Sequence, residues 1–340
     1  MAKLLTSLGK KHSKQFGVVP LGEIFKVDDA PFPKIPLPEK ELITLEDYRI
    51  RYAQYHLDTD LMAAHQMHPF INIWDDHEIS NDSYVDGAGG HNPNEDGSYQ
   101  KRKSSAKQAF YEWLPIREGK KHYRSFNFGN TAELFMLDGR LEGRTQQESK
   151  ANPDFINAER HLLGKKQLQW LVDGMSKSNA TWKIIGNPVL FASFDFSNVA
   201  LAIFGDNTNQ KIDSWEGYPY ERKELIKAIQ FNEIDNVVFL SGDSHCSWAF
   251  EIKNFSKLDS SSVAIEIGVP AISSGSWYES YPKTDVIKWE EELYENPNNT
   301  HLKYSNLRDR GYVELMLTQD MAQYTWYFVD KNKRKKYLSK

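Results

Sequence analysis

One cysteine, Cys246, is all that 340 residues contain, which excludes a disulfide framework and a zinc cage built from thiolates. Long apolar runs are missing too, and none approaches the roughly 18 residues of a membrane helix. The chain lacks a G-x-S-x-G elbow, a P-loop and a G-x-G-x-x-G turn. Serine-hydrolase, NTPase and dinucleotide readings therefore have no local support. Nor is there an excess of basic charge: 42 Lys and Arg stand against 47 Asp and Glu, a net charge of -5. That balance argues against a stable nucleic-acid complex. The opening MAKLLTSLGKKHSK has basic residues without an apolar stretch, so it does not read as a secretory signal.

What is present is 40% hydrophobic, 26% charged and 13% aromatic. A chain of this size and composition buries roughly 75% of its unfolded surface, so a folded, aromatic-rich globular protein is expected. There is no internal repeat. Residues 1–40 read as an irregular N-terminal segment, with Pro31, Pro33, Pro36 and Pro38 favouring extended backbone. Residues 41–330 read as the domain, and 331–340, with KNKRKK, as a solvated basic tail.

Thr44 or Glu46 opens a helix with Tyr48, Tyr52 and Tyr55 on one stripe, and Asp58 or Thr59 opens a second that runs to Met67. Short apolar runs then alternate with helical patterns: Phe70–Trp74, Glu133–Leu137, Trp182–Ile185 and Val237–Leu240 as strands, and 99–114, 164–176 and 221–231 as helices. Further β patterns at Val263–Ile267, Tyr312–Thr318 and Tyr324–Val329 predict a mixed sheet. Each of the four central runs ends in polar residues. If they share one sheet and one direction, Asp, Asn, His and Arg side chains gather at its carboxyl edge, where open α/β sheets bind ligands.

Asp75 and Asp76 follow the first run. Neighbours on an extended chain point oppositely, so one is expected to ligate metal while the other braces the backbone. An isolated Asp pair more often caps a turn. With His77, Glu78, Asn81 and Asp82 close behind, a metal site becomes the stronger reading. Asp243 and His245, in GDSHCSW, are expected to face one centre with Ser244 turned away, a donor pair suited to a transition metal or a mixed site. Alone they read as a cap and an interior histidine. Asn187 offers an amide oxygen or starts an Asn-Pro turn. Arg140 and Arg144 suit a bidentate phosphate fork, or ordinary ion pairs. Cys246 reads as a small buried residue. Carboxylates, His, Asn and Arg at strand ends point to metal-assisted hydrolysis, most simply of a phosphoester.

These residues sit in a longer pattern. DYRIRYAQYHLDTDLMAAHQMHPFINIWDDHEISND (47–82), EDGSYQKRKSSAKQAFYEWLPIR (95–117), LDGRLEGRTQQ (137–147), GKKQLQWL with WKIIGNPV, DSWEGYPYER (213–222) and NVVFLSGDSHCSWAF (236–250) occur in this order. Over roughly residues 40 to 330 the chain resembles the PhoD-type alkaline phosphatase and phosphodiesterase family, within the metallophosphoesterase superfamily. The resemblance implies a four-layer α/β/β/α sandwich and hydrolysis of phosphomonoesters or phosphodiesters with calcium and ferric iron. It implies Asp76, Asp243 and His245 as metal ligands, with Asn187 between them and Asn81 or Asp82 completing a calcium shell. His77 is implied to contact phosphate or protonate the leaving oxygen.

Family members also carry a Ser-Cys-type strand and a GDYIYEY-type strand upstream of this pattern. Neither occurs in the first forty residues, and Asp28 and Asp29 follow no buried strand. A sandwich incomplete at its N-terminus is therefore expected, with an exposed sheet edge that favours self-association. A truncated reading of a longer gene, a degenerate homologue and a half-site supplied by a partner are the explanations, in that order. A second functional reading follows: a catalytically degenerate protein that binds phosphate or a phosphoester through Arg140 and one remaining metal, without turnover. A third is a phospholipase acting on lipid headgroups, with Trp and Tyr lining its mouth, although aromatics more often fill cores. Members of the family are usually exported.

Overall fold

The computed structural model describes residues 36–117, 119, 121–197, 199, 211–254 and 261–329, together with two strands nearer the N-terminus. The strands are β1 (Leu4–Ser7), β2 (Gln15–Pro20), β3 (Phe70–Ile73), β4 (Arg124–Phe128), β5 (Ala132–Met136), β6 (Trp182–Asn187), β7 (Val237–Ser241), β8 (Ser247–Lys253), β9 (Ser262–Gly268), β10 (Leu302–Asn306), β11 (Gly311–Leu317) and β12 (Ala322–Phe328). The helices are α1 (Leu45–His56), α2 (Thr59–Met67), α3 (Pro93–Asp96), α4 (Tyr99–Trp113), α5 (Lys165–Lys177), α6 (Pro219–Phe231), α7 (Trp277–Ser280) and α8 (Lys283–Glu295).

The strands form two sheets. The larger has the order β10-β8-β9-β7-β6-β5-β4 and the smaller β12-β11-β1-β2-β3. In the larger sheet β5, β6, β7 and β9 run parallel, flanked by antiparallel β4 and β8. It is the mixed sheet the sequence predicts.

Residues on a strand alternate between faces, and here the alternation divides two cores. Leu134, Met136, Ile184, Val238 and Leu240 of the larger sheet meet Ile71, Ile73, Val313 and Leu315 of the smaller one in a single cluster. The two sheets therefore face each other. Phe135, Ile185, Val237 and Phe239 point the other way, onto Leu171 and Met175 of α5, Leu225 and Ile229 of α6, and Trp289 and Leu293 of α8. Strands buried on both faces explain why these runs read as continuously apolar. A third cluster joins Tyr48 and Tyr52 of α1 to Ala106 and Phe110 of α4, with Trp74 and, partly buried, Phe70. Phe70 lies on the opposite face of β3 from Ile71, so helices lie outside both sheets, an α/β sandwich.

Two expectations are corrected. The four apolar runs do not share one sheet: Phe70–Ile73 is the edge strand of the smaller sheet, while the other three are neighbours in the larger one. Their carboxyl ends meet because the sheets are stacked. The first forty residues also do more than form an irregular segment. Strands β1 and β2 pair with β11 and β3, both parallel, and with each other antiparallel, so they fill the middle of the smaller sheet. Asp28, Asp29 and the basic tail 331–340 lie outside the described residues. Among the described residues no helix is long and apolar enough to cross a membrane. Cys246 is buried in the outer core, as expected.

Candidate functional site

The site begins where β3 ends. Trp74 is 1% exposed and stacks on His122 with ring centroids 3.5 Å apart, which fixes the point where the backbone leaves the sheet. The chain then closes a single turn, Asp76–Glu78. The Asp75 N–H donates to the Glu78 carboxylate at 2.6 Å, and the Ile79 and Ser80 N–H groups donate to the Asp76 carbonyl, both at 2.8 Å. The Asp76 carboxylate accepts the N–H groups of His77 and Asp82, also at 2.8 Å.

This turn corrects the expectation that only one of Asp75 and Asp76 faces the centre. Asp75 keeps extended backbone while Asp76 already enters the turn, so the strict alternation of a strand is broken between them and both can point inward. Carboxylate oxygens of Asp75, Asp76 and Asp243 lie within 4.8 Å of one another. Asp76 braces the loop and faces the centre at once.

Asp243 arrives from the end of β7. Asp243 and His245 adopt φ of 67° and 58°, the left-handed region that costs a non-glycine residue about 1–2 kcal/mol. Ser244 turns away and accepts the Trp248 indole N–H at 3.0 Å. His245 sits outside the close carboxylate group, and its Nδ1 lies 3.2 Å from the Gly275 carbonyl.

Arg140 reaches this centre from the turn after β5, where the Asp138 carboxylate accepts the N–H groups of Arg140 and Leu141 at 3.1 and 2.8 Å. Its side chain is 0% exposed. Nε donates to Asp75 Oδ1 at 2.5 Å and Nη1 pairs with Asp213 at 2.7 Å. Nη2 has no hydrogen-bond partner among the described residues and stands 3.7 Å from Asp243 and 4.0 Å from Asp76. Of the two readings of Arg140 and Arg144, a phosphate fork or ion pairs, the described residues make the ion pairs. Arg144 is bound to the Asp213 carboxylate and carbonyl and to the Gly139 carbonyl, and Arg140 keeps only Nη2 open. Buried guanidiniums require partners, and Asp213 takes both.

Asp213 is the residue that sequence reasoning overlooked. It also accepts from Gln147 at 2.6 Å. The signal was available: two arginines in LDGRLEGR next to an apolar strand need a carboxylate if they are buried. DSWEGYPYER, already part of the family pattern, supplies it.

Asn187 differs from expectation as a ligand. Its Nδ2 donates to the Val189 carbonyl and to Ser241 Oγ, and its Oδ1 accepts the Trp215 indole N–H at 3.0 Å. Ser241 donates onward to Glu266, which also accepts the N–H groups of Phe191 and Ala192. Both ends of the amide serve a buried network across the ends of β6 and β7, as a buried polar group demands. Asn81 is exposed and its carbonyl accepts from Gly90, while Asp82 is left-handed at φ 55° and stays outside the carboxylate group. His77 is partly exposed, with Nε2 at 3.9 Å from Asp76 Oδ2.

The electrostatics follow from this crowding. Burial raises the Asp75 carboxyl, opposed by Arg140 and reinforced by Asp76. Burial and the charge of Asp75 hold Asp243 well above the usual carboxylate range, with Arg140 opposing. Asp213 goes the other way: burial would raise it, but Arg140 and Arg144 hold it low. Burial would lower Arg140; the surrounding aspartates raise it well above its ordinary value, so it is a fixed cation. Four carboxylates thus share two guanidiniums, and Asp75 Oδ2 is buried without a partner among the described residues. An oxygen-rich centre short of positive charge fits a hard metal cation.

Comparison with known proteins gives three results. Residues 22–326 match the family model described as PhoD-like phosphatase. The chain is 35% identical over 294 residues to alkaline phosphatase D of Bacillus subtilis (strain 168), covering 82% of this chain and 47% of that protein. It spans about half the length of that curated relative. A solved structure titled Structure of PhoD superposes with a TM-score of 0.73 at 24% identity, covering 97% of this chain and 70% of that one, a likeness of fold.

Proposed function

Since the chain belongs to the PhoD-like phosphatase family, we propose that it hydrolyses phosphomonoesters or phosphodiesters with metal ions held at the ends of β3 and β7. The observation that carries this reading is the convergence of Asp75, Asp76 and Asp243, with oxygens within 4.8 Å. These carboxylates, joined by the His245 imidazole, would hold the metal. Calcium and ferric iron are both hard enough for such donors and are the ions we propose. Bound there, they supply water activation and neutralise phosphoryl charge.

The remaining roles belong to side chains. Arg140 directs its one open Nη2 toward the centre, where it can hold a phosphoryl oxygen; Asp213 keeps that guanidinium in place from behind. His77, partly exposed beside Asp76, is placed to hold phosphate or to give a proton to the leaving oxygen. Asn187 positions the ends of β6 and β7 and, through Trp215, the segment that carries Asp213. The substrate is a small-molecule ester or a lipid headgroup.

The test is hydrolysis of p-nitrophenyl phosphate and bis(p-nitrophenyl) phosphate by the purified protein with calcium and iron, before and after chelation. Turnover that chelation abolishes and metal restores is expected. Full metal loading without turnover would favour the phosphate-binding reading instead.

A further inference from the structure

A cavity of about 250 Å³ lies between α1, α4 and the 77–81 loop, beside the carboxylate cluster. His77 belongs to both places: it lines the cavity, and its Nε2 is 3.9 Å from Asp76 Oδ2. Lys40, Arg51 and Arg102 line it together with Glu41 and Glu78; Lys40 is paired with Asp47 at 2.8 Å.

Arg102 is the unusual member. It comes from α4 and is 1% exposed. Its guanidinium is held from behind, Nε donating to the Tyr48 hydroxyl and Nη1 to the Gly90 carbonyl, each at 3.2 Å, with Asp96 3.6 Å from Nη1. Tyr48 is fixed in turn, donating to the Ile79 carbonyl at 2.7 Å. Yet Nη2 ends on Glu41 at 2.8 Å, and that glutamate side chain is 71% exposed. A rigid, buried donor thus meets a carboxylate that water reaches freely. Such a partner is screened and easily exchanged, whereas the arginine cannot leave.

We propose that this cavity receives a second anionic group of the substrate, a carboxylate or phosphate on the ester arm, which replaces Glu41 on Arg102. The proposal rests on the phosphoesterase reading of the carboxylate cluster and adds a substrate class to it: esters whose arm carries a negative charge. His77 stands between the reacting group and that arm.

The experiment compares two diesters on the metal-loaded protein, p-nitrophenyl phenyl phosphate and p-nitrophenyl 4-carboxyphenyl phosphate. The carboxylate arm is expected to lower KM about tenfold, the value of one charge-assisted contact. E41Q should widen that preference by about threefold, the size of an exposed ion pair. R102K should remove it, because an ammonium cannot hold Tyr48 and Gly90 and still present a fixed donor to the arm. Equal KM values for both diesters in the wild type would overturn the subsite while leaving the phosphoesterase reading intact. A change in E41Q that is the same for both substrates would overturn the exchange on Arg102. Hydrolysis of neither diester would overturn the subsite and the diesterase half of the functional reading; p-nitrophenyl phosphate left intact as well would overturn that reading whole.

Discussion

Arg140, fully buried, pairs with the partly exposed Asp213, Nη1 to Oδ2 at 2.7 Å, and so joins the turn after β5 to the segment leading into α6. The same carboxylate holds Arg144 at 2.7 Å. One aspartate therefore serves two guanidiniums that have no access to water. Removing its charge leaves Arg144 without a carboxylate among the described residues and Arg140 hydrogen-bonded to the Asp75 carboxylate alone, and breaking a buried pair from one side costs about 3–5 kcal/mol. Asp213→Asn should lose stability on that scale in urea denaturation. A loss under about 1 kcal/mol would show that the pair matters less than its burial implies.

His77 and the carboxylate cluster should separate by function. His77→Ala should keep metal content at the wild-type level and lower turnover by about 100-fold or more, the range of a lost general acid. Metal analysis and initial rates on one preparation check both halves. Loss of metal in this variant would place His77 among the ligands.

Acid sensitivity should come in part from His122. Burial, then Arg124 and Lys107, push its imidazole down to about 2 from the ordinary 6.5. A folded-state value below the unfolded one means that the stabilisation is complete above pH 6.5 and declines as pH falls toward the folded value. Between pH 6.5 and about 5 the loss is about 2 kcal/mol, at 1.36 kcal/mol per unit. His122→Phe keeps a ring against Trp74 and removes the proton site, so its urea midpoint should fall less over that range. An identical pH slope in both proteins would assign the acid loss elsewhere.

Gly143 should tolerate no side chain. A methyl group there would run into the Leu163 carbonyl and the Gly164 Cα, both backbone atoms. Gly143→Ala should cost about 1–3 kcal/mol through the backbone shift it forces, and the shift falls one residue from Arg144. Thermal denaturation measures it; an unchanged midpoint would show that the turn relaxes freely.

Most of the frame was legible in the sequence because of burial on both faces. β5, β6 and β7 lie inside the larger sheet, so their central positions are apolar on both faces and the runs stand out. β4, Arg124–Phe128, was not read: it is an edge strand with charged and polar residues alternating with Phe. α8, Lys283–Glu295, was missed because its buried stripe of Val286, Trp289 and Leu293 is diluted by Lys and Glu. Strands β1 and β2 were hidden by the proline-rich stretch that follows them.

In the site, Asp75, Asp76 and Asp243 were legible as strand-end acids. That Asp75 and Asp76 converge was not, since it depends on a turn where an extended chain was assumed. Asp213 and the engagement of Asn187 were invisible for the same reason: each is defined by a residue distant in sequence, Asp213 by Arg140 and Asn187 by Trp215.

The most direct test of the central claim is elemental analysis of the purified protein and of Asp243→Asn, without added chelator, with circular dichroism to confirm that both are folded. The account predicts metal bound in proportion to wild-type chain and a marked loss in the variant, because a ligand carboxylate has become a neutral amide. Equal metal content in two folded proteins, or none in either after incubation with calcium and iron, would contradict it.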